Sequence, residues 1–174
     1  MAAFALVVLP CAVTKSSLTG QPYVANFIFT TCRTVCPLLT AKMVRLQREL
    51  ADVPVRFISF SVDPEHDTSD VLAAYARQWN PGERRWLLLE TTALGLDELA
   101  RGFRITAQRT DGGIDAVLHS AVFLLVDERG EVRGVYDSES PQDFQALSRG
   151  VRTLLGQEAP PPGQARSGQR LFHE

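Results

Sequence analysis

Cysteine is scarce in this chain, three residues in 174, too few for the disulfide framework of a small secreted scaffold. A basic excess is missing as well. Lys and Arg total 18 against 20 Asp and Glu, a formal net charge of −2. Nothing is set aside to neutralise phosphates, so nucleic acid is not an expected partner. Long apolar runs are also absent. The first one, Met1 to Leu9 ahead of Pro10 and Cys11, is about ten residues long, where a bilayer span needs roughly 20. It lacks the basic leading region of a signal peptide, and Pro10 beside Cys11 argues against a lipoprotein cleavage site. The segment reads as a buried strand with Cys11 as a small apolar residue, and no anchor or clear signal peptide is visible. There is no internal repeat and no sign of a second domain.

What remains is ordinary globular composition, 45% apolar and 22% charged. A chain of this length buries about 70% of its unfolded surface and needs no metal or disulfide to fold. The expected organisation is one domain over residues 1–156 and a flexible tail over 157–174. The tail holds Pro160-Pro161-Pro162 and little apolar material, and cannot offset its ordering entropy. His173 belongs to it.

Val24 to Phe29 is nearly continuously apolar, as a strand buried on both faces should be. Leu39, Met43, Leu46 and Leu50 recur at helical spacing, which predicts a helix over 37–50. Val55 to Val62 is rich in β-branched and aromatic residues and reads as a strand. Leu72, Tyr75 and Trp79 mark a second helix that Asp67, Thr68 or Ser69 caps. Trp86 to Leu89 is a short strand. Leu96, Leu99 and Phe103 form another helical stripe. Ala121 to Val126 and Val132 to Tyr136 are strands joined as a hairpin by Asp127 to Gly130. Ser140-Pro141 then starts a last helix, with Phe144, Leu147, Val151 and Leu154 on its buried face, and Gly156 stops it. Early strand–helix alternation implies parallel strands joined by crossovers, and the late hairpin adds antiparallel ones. The expected fold is α/β and thioredoxin-like, a mixed central sheet flanked by helices on both faces.

The informative segment is Phe29-Thr-Thr-Cys32-Arg-Thr-Val-Cys36-Pro37, between the first buried strand and the first long helix. In open α/β sheets, sites form beyond the carboxyl ends of the strands, where helix N-termini point. Pro37 suits a first helical position, which puts Cys36 at or beside the cap, where amide N–H groups and the dipole favour a thiolate. Arg33 adds positive charge. On a helical turn, residues four apart sit about 5–6 Å between Cβ atoms, so closing a Cys32–Cys36 disulfide needs a modest local adjustment. The pair permits two chemistries, dithiol redox and binding of a soft metal. His119 directly precedes the strand at Ala121. A lone histidine there is more often a structural residue than a ligand. Joined to two thiolates, its imidazole would suit copper, whereas a structural zinc site wants four protein ligands. His66, in the acidic run Asp63-Pro64-Glu65-His66-Asp67, reads as part of a solvated helix-entry loop.

Three segments together, Phe27-Ile-Phe-Thr-Thr-Cys32-Arg-Thr-Val-Cys36-Pro37, Ser61-Val-Asp-Pro-Glu-His-Asp-Thr68 and His119-Ser120, resemble the signature segments of the Sco/SenC family. The resemblance runs from about Ala3 to Gly156. It implies a thioredoxin-fold copper chaperone for the copper A centre of cytochrome c oxidase, with copper, as Cu(I) or Cu(II), held by Cys32, Cys36 and His119. The implied partners are a copper donor and, as recipient, cytochrome c oxidase subunit II or another copper-accepting protein. The implied location is the periplasmic or cell-envelope side, and a monomer is expected. In one respect the chain departs from many members, which carry an acid immediately before the histidine. Here that residue is Leu118, with Asp115 four positions before His119.

Two other readings compete. In a thiol–disulfide oxidoreductase, Cys32 and Cys36 form a redox-active dithiol that reduces the cysteines of a copper-site partner. Helix position favours Cys36 as the attacking thiolate, and exposure can reverse the roles. A peroxiredoxin-like peroxidase also opens a helix with Val-Cys-Pro, but places a threonine three residues before its cysteine, where this chain has Arg33.

Overall fold

The computed structural model describes residues 18–79, 85–92, 99 and 121–157. Within them the chain forms β1 (Tyr23–Ile28), α1 (Val35–Glu49), β2 (Arg56–Ser61), α2 (Ser69–Trp79), β3 (Trp86–Leu89), β4 (Val122–Val126), β5 (Val132–Asp137) and α3 (Pro141–Leu154). The five strands make one mixed sheet in the order β3-β2-β1-β4-β5. β1 pairs in parallel with β2, and β2 with β3; β4 runs antiparallel to both β1 and β5. β1 is the central strand, and all six of its residues are buried. That is why its sequence shows an apolar run rather than alternation.

The two faces of the sheet bury different sets. Val24, Ile28, Phe57, Trp86, Leu88, Phe123 and Leu125 point to one side. There they meet Leu39, Met43 and Leu46 of α1, Leu72 and Tyr75 of α2, and Phe144, Leu147 and Val151 of α3. Each fully buried side chain of this size contributes roughly 1.5–3 kcal/mol. The helix stripes read from the sequence are therefore core, and all three described helices share one face. On the other face Tyr23, Ala25, Phe27, Ile58, Phe60, Leu124 and Val126 pack with Leu18, and Leu99 is packed against them. Leu96 and Phe103, expected to form a stripe with Leu99, lie outside the described residues, as do Cys11, His119, His173 and the tail beyond 157.

Arginines fasten the far end of α1. Arg85 donates to the carbonyls of Gln47, Leu50 and Val53, at 3.3, 3.0 and 2.8 Å. Arg152, only 7% exposed, donates to the Glu49 carbonyl at 3.2 Å and to both carboxyl oxygens of Asp52. Carbonyls of the last helical turn and of the residues after it, short of partners within the helix, are thus satisfied by cations that also suit the negative end of the dipole. α3 ends as expected: Gly156 takes φ 65°, its N–H reaches the Thr153 carbonyl, and Gln157 N–H reaches the Arg152 carbonyl. This pair of bonds requires a left-handed residue, which glycine adopts without strain.

Candidate metal and redox site

The dithiol sits where β1 hands over to α1. Helix α1 starts at Val35, so Cys36 is its second residue and Pro37 its third, slightly deeper than Pro37 alone suggests. Cys32 lies before the helix, in the connecting turn, where its N–H donates to the Phe29 carbonyl at 3.2 Å. The four-residue helical spacing therefore does not describe the pair. Instead the Cys32 sulfur bends back over the helix entrance and accepts the Cys36 N–H at 3.4 Å. Thr34, the residue at the N-cap position, makes no side-chain capping bond. Both cysteines are free thiols, Cys36 buried at 5% exposure and Cys32 half-buried.

This placement splits the two thiols. Partial burial works to raise the Cys32 thiol, but the N–H groups of Cys36, Thr34 and Val35 and the Cys36 thiol, all directed at its sulfur, outweigh it and lower the pKa from 9.0 to about 7. Cys36 moves the other way. Burial pushes it up to about 12, and the neighbouring Cys32 sulfur and the Asp67 carboxyl oppose a second negative charge. The expectation that helix position makes Cys36 the better thiolate is thus reversed. The dipole acts on whichever sulfur faces the free N–H groups, and that sulfur belongs to Cys32.

The surroundings divide into an apolar collar and a polar floor. Leu38, one residue past Pro37, is 63% exposed, and Val35 is 40% exposed, so apolar side chains flank Cys36 in solvent. Behind Cys36, the Thr40 and Tyr75 hydroxyls pair at 2.7 Å and join α1 to α2. Below the turn, Asp67 is fully buried. It does not turn to cap α2, as Asp67-Thr68-Ser69 suggested. Its carboxyl accepts from Thr30 and Ser61, a role with no local sequence signal. His66 is exposed and bonded to Asp63 at 2.9 Å, which raises its pKa, in keeping with a solvated helix-entry loop. Among the described residues, no three His, Cys, Asp or Glu side chains gather as a metal site. Cys32 and Cys36 supply two soft donors, and His119 lies outside the described residues.

A mixed sheet with this strand order, carrying a cysteine pair at the entrance of the helix that follows its central strand, defines a dithiol protein of thioredoxin-like fold. Residues 4–155 match the SCO1/SenC family model, and the chain belongs to that family. It is 36% identical over 145 residues to the SCO1 protein homolog of Bacillus subtilis (strain 168), covering 81% of this chain and 75% of that protein. Among solved structures, it resembles a SCO1/SenC family lipoprotein from Bacillus anthracis str. Ames, with 31% identity, a TM-score of 0.65, and 81% and 85% of the two chains covered. It also resembles BsSco, a member of the Sco family of cytochrome c oxidase assembly proteins in which a disulfide switch has been identified. That match has 30% identity and a TM-score of 0.63, covering 80% and 82% of the chains. Among the described residues, no helix is long and apolar enough to cross a membrane.

Proposed function

We propose that this protein is a copper-binding metallochaperone that assists assembly of the copper A centre of cytochrome c oxidase, with copper as its cargo. The observation that carries this reading is the dithiol itself. Two sulfurs meet at one helix entrance, one of them half-buried and acidified to about pKa 7. Soft thiolates select Cu(I), and an imidazole is a further copper donor. Cys32 and Cys36 hold the ion together with His119. The register of the sheet supports the third ligand. Ala25 pairs with Leu124 in antiparallel sense, so β4 begins at the carboxyl end of β1, the end that carries Cys32. The donor and the recipient, cytochrome c oxidase subunit II or another copper-accepting protein, would approach over the exposed Val35 and Leu38. The site works on the periplasmic or cell-envelope side, in a monomer.

Copper added anaerobically to the reduced protein should bind at one ion per chain, and a Cys32→Ser, Cys36→Ser double variant should bind none. Absence of copper from the reduced wild type, or unchanged binding in the double variant, removes this reading.

The unequal thiols favour a second reading, reduction of the recipient's cysteines. The Cys32 thiolate attacks a sulfur of the partner's disulfide, and the released partner sulfur takes up a proton. Cys36 then loses its proton and attacks Cys32, freeing the second partner thiol and leaving a Cys32–Cys36 disulfide. This exchange does not need His119.

A further inference from the structure

The buried Asp67 is not used by the copper ligands or by the dithiol exchange, yet it is tied to both through the chain. Its two carboxyl oxygens each lie 3.1 Å from the Thr30 N–H; one also accepts the Thr30 hydroxyl, and the other the Ser61 hydroxyl at 2.6 Å. Thr30 stands two residues past the end of β1 and two before Cys32. Just before it, the β1–β2 ladder makes its last bond, from Val62 N–H to the Ile28 carbonyl at 2.9 Å. Asp67 then receives the N–H that a longer β2 would have taken. The anchor is firm on its own side, because the Ser61 hydroxyl also accepts the Asp63 N–H at 3.1 Å and the Ser61 carbonyl accepts the Thr91 hydroxyl at 2.6 Å.

We propose that Asp67 is the positioning residue of the dithiol: by clamping Thr30 it fixes where the chain leaves β1 and so holds Cys32 within reach of Cys36. This rests on the dithiol being the functional site. Cys36 is fixed by its helix, which packs into the core. Cys32 hangs on a short connecting turn, whose freedom decides how often its sulfur meets the other. A clamp at Thr30 removes that freedom before a disulfide closes or an ion is chelated, and so favours both.

Asp67→Asn keeps the shape but exchanges one acceptor oxygen for an NH2 group among donors, and the Thr30 N–H cannot accept in return. The readout is the equilibrium with glutathione, in which two glutathione thiols become glutathione disulfide as the Cys32–Cys36 disulfide becomes two thiols. For a folded Asp67→Asn, this equilibrium should move at least about fivefold toward the dithiol, with Cu(I) affinity falling by a similar factor. Thr30→Val removes the hydroxyl and keeps the N–H. It should shift the same equilibrium at least about twofold, and the double variant should shift it less than the product of the single effects, because one clamp is being broken twice. Thr30→Ser should restore wild-type values.

A lowered melting temperature with an unmoved glutathione equilibrium would show Asp67 to be structural only and overturn the proposal. If Asp67→Asn does not fold, a wild-type equilibrium in Thr30→Val overturns it instead. A wild type that binds no copper defeats the chaperone reading alone, since the glutathione equilibrium still reports on the clamp.

Discussion

Two helices of this protein begin in opposite ways. At α3, Ser140 caps: its hydroxyl accepts the Asp143 N–H at 3.1 Å, Pro141 takes the first turn, and Asp143 complements the dipole. Every feature of that entrance serves stability. At α1, the N-cap Thr34 makes no side-chain capping bond, the first turn holds no acid, and the Cys32 sulfur stands where a capping oxygen would. A weak cap leaves amide N–H groups for a group that must carry charge. The molecule offsets this loose start at the other end of the helix, where Arg85 and Arg152 hold its last carbonyls. One end of α1 is secured so that the other can be given to chemistry.

The largest effect expected from this contrast is kinetic. With Cys32 at about 7 and Cys36 at about 12, the two thiols differ in charge at neutral pH. The reactive species is the thiolate, the deprotonated form, so Cys32 reactivity should rise with pH and reach half its maximum near pH 7. An ordinary cysteine, at 9.0, does so two units higher. Iodoacetamide labelling of the reduced protein at pH 7, followed by peptide mapping, should modify Cys32 at least about a hundredfold faster than Cys36. Equal rates, or a Cys32 midpoint near pH 9, would mean that the α1 entrance does no more for a thiolate than water does.

His119→Ala comes next in size. Loss of the proposed third ligand should weaken copper binding at least about tenfold, roughly 1.4 kcal/mol. Stability should change by about 1 kcal/mol or less if the residue stands at the rim. Disulfide exchange through Cys32 should survive. Wild-type copper affinity in this variant would leave the α1 entrance with a dithiol alone and make the reductase the better account.

How much of this could be read from the sequence differs by region. The β3 strand Trp86–Leu89 and the α3 entrance at Ser140-Pro141 match their sequence signals to the residue, because a strand of four apolar residues and a hydroxyl–proline cap are local features. The cysteine pair was legible for the same reason. Which thiol ionises was not, because that depends on where the turn folds the Cys32 sulfur over the helix. The role of Asp67 was out of reach for a related reason. Asp67-Thr68-Ser69 offers three good capping residues, and only a bond spanning 37 positions, to Thr30, shows that the first is engaged elsewhere. Which side of the sheet each helix covers was not legible, because hydrophobic periodicity says that a helix face is buried, not against which side of a sheet; α1, α2 and α3 share one face, while Leu18 and Leu99 pack on the other.

The smallest effect isolates the caps themselves. Ser140→Ala removes the oxygen that accepts the Asp143 N–H, and no other acceptor for that N–H stands among the described bonds at this entrance. The cost should be about 1 kcal/mol, the usual value for a lost hydroxyl cap. Thr34→Ala occupies the equivalent position on α1, but its hydroxyl caps nothing; its contact is with the Cys32 sulfur, 4.0 Å away. Its cost in stability should be within about 0.5 kcal/mol. Urea unfolding of both variants, with the slope held in common, measures the difference directly. If Thr34→Ala costs as much as Ser140→Ala, the Thr34 hydroxyl does cap α1 in solution. The N–H groups credited to Cys32 would then already be in use, and its lowered pKa would need another cause.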